Sequence, residues 1–329
     1  MKILITGTSG HLGEAIARQL KADNKDYIGL DINPSKFTTN VGSITDKELV
    51  SSLVKEIDFI IHTATLHKPH VGTHSNQDFI DINIRGTLTL LEEARKQNIK
   101  GFVYTSTTST FGDMLTPKSG EPAIWITEKT NDIPKNIYGV TKNAAEDLCQ
   151  LFYRNHKLPC LVLKTSRFFP EEDDKKAIRE NYNDLNVKAI EYLYRRVDIE
   201  DVVTAHLLAV DKVQKTGFDK YIVSATSPFE QQHLMELHTD ANTVVEKLFP
   251  NFKNLFAKKG WKMLPKIDRV YVNEKARREL GWKPKYDFSY VLDCLKDNKD
   301  FRSKLSLEVG MKGYHKEAFD EGPYPVYDI

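Results

Sequence analysis

The chain has 329 residues, and its 47 Lys and Arg against 46 Asp and Glu leave a formal net charge of +1. This balance gives no electrostatic basis for binding nucleic acid or an anionic membrane surface. The three cysteines, Cys149, Cys160 and Cys294, are odd in number and far apart, which predicts neither a disulfide framework nor a zinc site. No apolar run reaches the roughly 18 residues of a membrane span, and the sequence opens without a signal peptide pattern. We therefore expect a reduced, cytoplasmic protein.

A glycine-rich turn separates the first predicted strand from the first predicted helix. Residues 3–6 are apolar and predict a buried strand, and the pattern over 14–20 predicts a helix. Between them, Gly7, Gly10 and Gly13 have the spacing G-x-x-G-x-x-G. The first glycine permits a tight turn, the second lets a pyrophosphate approach the backbone, and the third lets helix and strand pack closely. The pattern predicts a dinucleotide at the positive end of the helix, a plain strand–turn–helix connection being the alternative.

The acidic residue after the second predicted strand indicates which dinucleotide is preferred. Residues 27–30 predict the strand, and Asp31 follows the glycine turn by about 20 residues, where a carboxylate accepts hydrogen bonds from the adenosine ribose. It would repel a 2′-phosphate, and residues 32–35 contain no arginine. The sequence therefore predicts NAD over NADP, the alternative being a surface carboxylate at a strand end.

Two further segments continue the alternating pattern. Residues 45–48 have the spacing of a capping box, which predicts a helix starting from Thr45. Residues 58–62 predict a buried strand that ends in small residues, which suit a ligand lying across a parallel sheet. His62, at the end of this strand, is interpreted as a packed histidine rather than a catalytic one. His67, His70 and His74 have uneven spacing, so no metal site is predicted.

A tyrosine and a lysine, Tyr138 and Lys142, are four residues apart and would lie one turn from each other on a helix. An ammonium near a phenol favours the phenolate, so we expect Tyr138 to titrate below the ordinary tyrosine pKa of about 10. That would make it a usable general acid/base near neutral pH. Because such pairs are common on amphipathic helices, the interpretation depends on the nucleotide motifs upstream.

Together these motifs resemble an extended short-chain dehydrogenase/reductase of the NAD-dependent epimerase/dehydratase group, from residue 1 to about residue 290. The resemblance rests on the glycine turn, Asp31, the segment Asn83-Ile84-Arg85-Gly86-Thr87, the hydroxyl-rich run before Phe111-Gly112, and Tyr138-x-x-x-Lys142. Residues 163–170, 196–202 and 273–284 agree with later segments of the family.

The resemblance implies an α/β fold, a Rossmann-type doubly wound parallel sheet with a smaller, discontinuous C-terminal substrate-binding part. It implies an NAD-binding domain over 1–170, completed by about 196–225, and a substrate-binding part from 171–195 and 226–295. The tail, 296–329, is expected to lie along the surface or a partner subunit. The resemblance also implies a homodimer, in which the helices around 87–97 and 138–154 of the two copies form a four-helix bundle.

The resemblance further implies which residues act. Thr107 would hydrogen-bond the reacting oxygen, Tyr138 would be the acid/base, and Lys142 would hold the nicotinamide ribose. The expected cofactor contacts are Gly7, Gly10, His11, Leu12, Gly13, Asp31, Ile32, Ser43, Ile44, Thr63, Ala64, Thr65, Asn83, Thr105, Tyr138, Lys142 and Phe168. The expected substrate contacts are Thr107, Thr108, Tyr138, Phe169 and Arg196.

The sequence departs from the family's pattern on the substrate side. Tyr194 stands where nucleotide-sugar enzymes usually have an arginine, and Ser43 and Phe111 replace the more frequent Asp and Tyr. The charged run 171–176 is predicted to be a solvated loop. The mixture of Arg and Tyr over 179–196 suits either an anionic or sugar ligand or a packed helix surface.

These features predict an enzyme that acts with NAD on a carbinol carbon of a sugar or nucleotide-sugar. Epimerisation ranks first, with a sugar dehydrogenase that releases NADH close behind it. Dehydration ranks third, because the dehydratases of the family have Asp-Glu where this chain has Thr108-Ser109. A non-catalytic NAD-binding protein of the same fold is the remaining alternative.

Overall fold

A seven-stranded parallel sheet organises the larger part of the chain. The computed structural model describes residues 1–313 together with 315, 319 and 322. The strands of these residues are β1 (Ile3–Thr6), β2 (Tyr27–Asp31), β3 (Asn40–Val41), β4 (Phe59–His62), β5 (Gly101–Thr107), β6 (Ile124–Ile126), β7 (Cys160–Thr165), β8 (Phe218–Val223) and β9 (Arg269–Tyr271). Seven of them pair in the order β3-β2-β1-β4-β5-β7-β8, all parallel.

Helices cover both faces of this sheet. The described α-helices are α1 (His11–Ala22), α2 (Lys47–Val54), α3 (Asn76–Phe79), α4 (Gly86–Lys96), α5 (Ile137–His156), α6 (Lys176–Asn181), α7 (Asp184–Glu191), α8 (Ile199–Thr216), α9 (Leu234–Leu248), α10 (Phe252–Lys258), α11 (Glu274–Leu280), α12 (Phe288–Lys296) and α13 (Lys304–Val309). A π-helix (Ile80–Arg85) runs directly into α4. None of the described helices is long and apolar enough to cross a membrane.

Successive residues of β1 show why both faces are covered. Ile3 and Ile5 belong to one hydrophobic cluster, and Leu4 between them belongs to another. Side chains alternate across a strand, so every second residue faces the opposite layer of helices. The strand order reverses between β1 and β4, which is the switch point of a doubly wound sheet. The predicted fold class is confirmed.

The N-terminus of α2 differs from the prediction by one residue. Asp46, not Thr45, is the N-cap, and its carboxylate accepts a hydrogen bond from the amide of Leu49 at 3.0 Å. The hydroxyl of Thr45 instead pairs with that of Ser43 at 2.8 Å. The end of α11 agrees with the prediction, since Gly281 stops it in the left-handed conformation, at a φ of 71°.

A second hydrophobic core forms outside the main sheet. It is drawn from residues 123, 185–194 and 225–301 and lies with the two-stranded sheet β6-β9. Phe301 is buried in this core, and Val309 is buried in the core of the main sheet. Helix α13 packs against α1 and α8. The described part of the tail therefore lies along the surface of the same chain and is anchored there by a few buried side chains.

Candidate active site

The glycine turn has the geometry that a dinucleotide requires. Gly7 has a φ of +82°, and a Cβ there would lie 2.7 Å from the amide nitrogen of Ala64. A Cβ on Gly13 would lie 2.0 Å from the carbonyl oxygen of Gly7, so α1 can approach the end of β1 this closely only if residue 13 is glycine. Gly10 is the N-cap of α1 and provides no side-chain cap, so the first amides of the helix are left for another acceptor.

Asp31 ends β2 beside this turn. One carboxylate oxygen accepts a hydrogen bond from the amide of Ser9 at 2.9 Å, and the other accepts from the amide of Asn33 at 2.8 Å. These two bonds fix the plane of the carboxylate and leave each oxygen a second lone pair. The site therefore presents two acceptors for a pair of vicinal hydroxyls.

A cleft of about 760 Å³ extends from the glycine turn along the carboxyl ends of the central strands. This is the edge of an open α/β sheet at which ligands bind, and the volume is that of a small-molecule site. Most of the predicted contact residues line it, namely Gly7, Gly10, His11, Leu12, Gly13, Asp31, Ile32, Ser43, Ile44, Thr63, Ala64, Thr65, Thr105, Tyr138, Lys142, Phe168 and Phe169.

Four predicted contact residues do not line the cleft: Asn83, Thr107, Thr108 and Arg196. Asn83 is buried in the π-helix, where its side chain accepts from the amide of Leu66 at 2.8 Å and donates to the hydroxyl of Thr141 at 3.0 Å. It thereby ties the loop after β4 to helix α5. In the structure, Asn83 therefore positions the loop after β4 relative to helix α5.

Tyr138 and Lys142 lie in the first turns of α5, which Asn136 caps through the amide of Gly139 at 3.2 Å. Both side chains are buried at the cleft. The Lys142 ammonium donates to the carbonyl of Thr105 at 2.6 Å and lies 4.2 Å from the ring centroid of Tyr104. These contacts aim the ammonium along the end of β5.

Burial decides how this pair titrates. It raises the pKa of Tyr138 to about 12, and a hydrogen bond with Thr107 opposes the rise. It lowers the pKa of Lys142 to about 7, with the nearby charge of Glu146 opposing the fall. The expectation that Tyr138 titrates below its ordinary pKa is therefore wrong for the protein alone, because removal from water disfavours the phenolate more than its neighbours favour it.

A buried ionic network lies behind Lys142. Glu146, one turn further along α5, accepts a hydrogen bond from Ser106 and pairs with Lys164 at 3.2 Å and Lys220 at 2.7 Å. Lys164 also pairs with Asp132 at 2.7 Å. The network joins α5 to the ends of β5, β7 and β8 and places a carboxylate near the cleft lysine.

The charged run 171–176 is not the solvated loop that the sequence predicted, because three of its four carboxylates, Glu171, Asp173 and Asp174, are buried. Glu171 pairs with His11 of α1 at 2.8 Å. Asp173 pairs with Arg167 at 3.0 Å and with Arg195 at 3.1 Å. The loop turns inward because arginines from elsewhere in the chain neutralise its charges.

Arg196 belongs to the same ionic cluster. Its guanidinium pairs with the buried Glu191 at 2.8 Å and donates to the carbonyl of Phe169 at 3.0 Å. Glu191 also pairs with Arg195 at 2.6 Å, and desolvation by burial is outweighed by these cations, which lower its pKa to about 2. The arginines of 179–196 thus include a packed pair that buried carboxylates neutralise. Arg196 does not line the cleft, and its contact with the substrate stays a prediction.

Comparison with known proteins agrees with this geometry. Residues 3–223 match the NAD dependent epimerase/dehydratase family. The chain belongs to that family. It is therefore an NAD-dependent enzyme of the extended short-chain dehydrogenase/reductase type.

Individual relatives span more than one reaction. A putative UDP-glucose 4-epimerase of Methanocaldococcus jannaschii is 25% identical over 90% of this chain and 99% of its own length. A dTDP-D-glucose 4,6-dehydratase of Dictyostelium discoideum is 30% identical over 55% of this chain, and the match spans only 47% of the relative. The structure of a short-chain dehydrogenase/reductase superfamily protein of Agrobacterium tumefaciens with bound NAD superposes with a TM-score of 0.65 at 18% identity, covering 94% of this chain and 99% of that one.

The residues present in this family member fit NAD. The uncapped amides at the start of α1 suit the pyrophosphate, and the Asp31 carboxylate suits the adenosine ribose hydroxyls. Lys142 and Tyr138 lie at the other end of the same cleft. Ser43 lines it as well, with its hydroxyl paired to Thr45.

The sequence did not predict the histidine loop, residues 67–74, as a wall of the cleft. His67, His70 and His74 all line it. The ring of His67 stacks on Phe169 with centroids 5.5 Å apart and lies 6.5 Å from the ring of Tyr138. The available signal in the sequence was the group of histidines that follows β4, because the carboxyl end of that strand lies at the edge of the sheet where ligands bind. Among the described residues, no group of three or more His, Cys, Asp or Glu side chains is arranged to hold a metal ion.

His62, by contrast, is the packed histidine that the sequence predicted. It is buried, with Nδ1 2.7 Å from the hydroxyl of Thr6 and Nε2 3.0 Å from that of Thr87. Thr87 already donates its hydroxyl proton to the carbonyl of Asn83, so Nε2 of His62 must be the donor. The histidine holds β1, β4 and α4 together.

Proposed function

We propose that the enzyme epimerises a sugar or nucleotide-sugar at a carbinol carbon, with Tyr138 as the acid/base. The observation that carries the proposal is the Tyr138 phenol, hydrogen-bonded with Thr107 and one helical turn from Lys142, in the cleft that begins at the glycine turn. NAD, when bound there, supplies the hydride acceptor and returns the hydride.

Each residue has a defined task in this proposal. The oxygen of Tyr138 takes the proton of the substrate hydroxyl as the carbinol carbon is oxidised, and gives it back in the reverse step. Thr107 hydrogen-bonds with the phenol and orients the reacting oxygen. Lys142, as an ammonium, stabilises the phenolate and reaches the nicotinamide ribose from the end of β5. A buried site also keeps water from the oxidised sugar.

The residues around Tyr138 favour epimerisation over dehydration. Loss of water needs an acid for the leaving hydroxyl, and the positions after Thr107 carry hydroxyls, Thr108 and Ser109, instead of carboxyls. The described carboxylates that line the cleft are Asp31 and Asp78. Asp31 serves the ribose end, and Asp78 is bonded to Ser75 at the start of α3. This supports the ranking of dehydration below the other reactions.

A sugar dehydrogenase is the second candidate, because the first half of the reaction is the same. The two are separated by denaturing the freshly purified protein and identifying the nucleotide released. Stoichiometric NAD, with no net NADH formed during turnover, supports the epimerase. A protein that binds NAD reversibly and accumulates NADH with a sugar overturns the epimerase in favour of the dehydrogenase.

Replacing Tyr138 by Phe tests the catalytic assignment. We expect turnover to fall by about 10²–10⁴-fold, the usual contribution of a general acid/base, with NAD binding retained. The matched control is Tyr153→Phe, further along α5 and outside the cleft lining. Unchanged turnover in the Tyr138 variant, or no hydride transfer with any sugar tested, would favour a non-catalytic NAD-binding protein.

We also propose a cytoplasmic homodimer. The described cysteines are all free, which suits a reducing compartment. Val140 and Leu151 are exposed on the outer side of α5, 49% and 39% accessible respectively. Pairing of α4 and α5 with those of a second copy would bury these side chains. The mass in solution, measured for the native chain and for Leu151→Glu, tests the dimer.

A further inference from the structure

The C-terminal segment, defined here as residues 310–313 with His315, occupies a place that the sequence did not indicate. Helix α13 ends at Val309, and Gly310, at a φ of 61°, turns the chain. Lys312 and Gly313 then line the cleft itself. Between residue 170 and residue 311, no residue lines the cleft. The expected substrate-binding part therefore provides none of the described cleft wall.

Contacts on both sides anchor the C-terminal segment across the cleft. On the side of the glycine turn, the Lys312 ammonium pairs with Glu14 of α1. The Lys312 amide donates to Glu171 at 3.1 Å, and Glu171 is the partner of His11 in the first turn of α1. These bonds tie the segment to the buried acidic loop and to the helix that faces the cofactor phosphates.

On the opposite side, the segment meets the histidine loop. Nε2 of His315 lies 2.8 Å from the carbonyl oxygen of Pro69 and must donate to it, since a carbonyl only accepts. The ring of His315 is 5.6 Å from that of His70, and His70 is 4.8 Å from His67. His67 in turn lies 6.5 Å from Tyr138. A continuous series of rings thus connects the C-terminal segment to the acid/base.

The chemistry of this wall suits sugar hydroxyls. Burial lowers the pKa of His67 well below its ordinary range and that of His70 to about 4, with neighbouring imidazoles adding to both shifts. Nδ1 of His70 accepts a hydrogen bond from the His67 amide at 3.1 Å, so the neutral ring carries its proton on Nε2, the polarity that a hydroxyl oxygen accepts. The nearby arginines, Arg167, Arg195 and Arg196, are paired with buried carboxylates.

We infer that the C-terminal segment completes the active site, forming with the histidine loop the wall that binds the hydroxyls of the sugar. This inference rests on the proposed function, since it assigns the substrate end of the same cleft. It gives the C-terminal segment a substrate-binding role in the cleft that holds Tyr138.

Three variants of the full enzyme test the inference. One chain stops after Gly310, one carries His315→Ala, and the control carries Lys304→Ala, an exposed lysine of α13 whose side chain is 89% accessible. KM and kcat are measured on NAD-loaded protein with UDP-glucose, glucose 1-phosphate and free glucose as probes. Hydrogen exchange over residues 66–74 is measured on the same proteins without substrate.

We expect the shortened chain to raise KM at least about tenfold, the equivalent of one or two lost hydrogen bonds, with a smaller change in kcat. His315→Ala should raise KM by less, and Lys304→Ala should change neither constant. Hydrogen exchange over residues 66–74 should become faster in the shortened chain and in His315→Ala, and should not change in Lys304→Ala. Unchanged KM in the shortened chain would overturn the inference, whether exchange rises or not.

The exchange measurement separates this inference from the proposed function. If the native enzyme transfers no hydride to or from any probe, the proposed function fails. The rate of hydrogen exchange over residues 66–74, compared between the native and the shortened chain, still reports whether the C-terminal segment covers the cleft. If the native enzyme turns over and the shortened chain has the same KM, the inference alone fails.

Discussion

The carboxylate of Glu146 accepts a hydrogen bond from the hydroxyl of Ser106, which joins the middle of α5 to the end of β5. Ser106 follows Thr105, whose carbonyl holds the Lys142 ammonium at 2.6 Å. Glu146 therefore both orients the strand end that positions the lysine and provides a negative charge that raises its pKa. Glu146 thus positions Lys142 through the end of β5.

Glu146→Gln should lower the pKa of Lys142, because it removes the charge that opposes the effect of burial. If the pKa of Lys142 falls by about one unit, the fraction of Lys142 present as the ammonium drops about twofold at pH 6 and about tenfold at pH 8. We expect kcat to follow this pattern, the loss growing with pH. The control is Asp147→Asn, one residue along and exposed. A loss of equal size at all pH values would indicate a purely structural role.

Lys142 should also make folding stability depend on pH. Its pKa is about 7 in the folded protein against 10.5 ordinarily, so between these values the unfolded chain binds more protons. Stability must therefore rise with pH across this window, by up to about 1.4 kcal/mol per pH unit from this group. The difference in unfolding free energy between the native chain and Lys142→Met, followed from pH 6 to pH 9 by urea denaturation, should increase above about pH 7. A flat difference would contradict the buried, neutral lysine.

Arg196→Met should destabilise the fold without affecting substrate binding. The substitution leaves the buried Glu191 with one fewer partner and the carbonyl of Phe169 without its donor, and breaking such a buried pair typically costs about 3–5 kcal/mol. Urea denaturation measures the loss, and KM should stay within about twofold of native. Arg196→Lys, which keeps the charge, is the milder companion variant. A tenfold rise in KM at unchanged stability would instead place Arg196 at the substrate.

Asp31→Asn should weaken the binding of NAD and relax the discrimination against NADP. A hydrogen bond to a charged group is worth about 1.5–3 kcal/mol, so we expect the NAD dissociation constant to rise about tenfold or more. The amide keeps the size of the side chain and removes the charge that repels a 2′-phosphate. Titration of both cofactors by fluorescence gives the ratio. An unchanged NAD:NADP ratio would refute the assignment of Asp31 to the ribose.

Much of the nucleotide half could be predicted from the sequence, because its requirements are local. The spacing of Gly7, Gly10 and Gly13 follows from one turn, and Asp31 from the strand that ends beside it. The placement of Tyr138 one turn from Lys142 follows from the helical repeat alone. Periodicity and turn chemistry act over a few residues, so the fold class and these positions could be predicted without the tertiary structure.

The charges and the far wall of the cleft were decided only by tertiary contacts. The run 171–176 is polar in sequence, yet Glu171 and Asp173 are buried in the structure, because partners come to them from elsewhere in the chain, namely Arg167, Arg195 and His11. Tyr138 has a raised pKa because burial, which no local pattern reports, outweighs its neighbours. Lys312 reaches Glu14 across 298 positions of sequence, a contact that only the folded chain brings about.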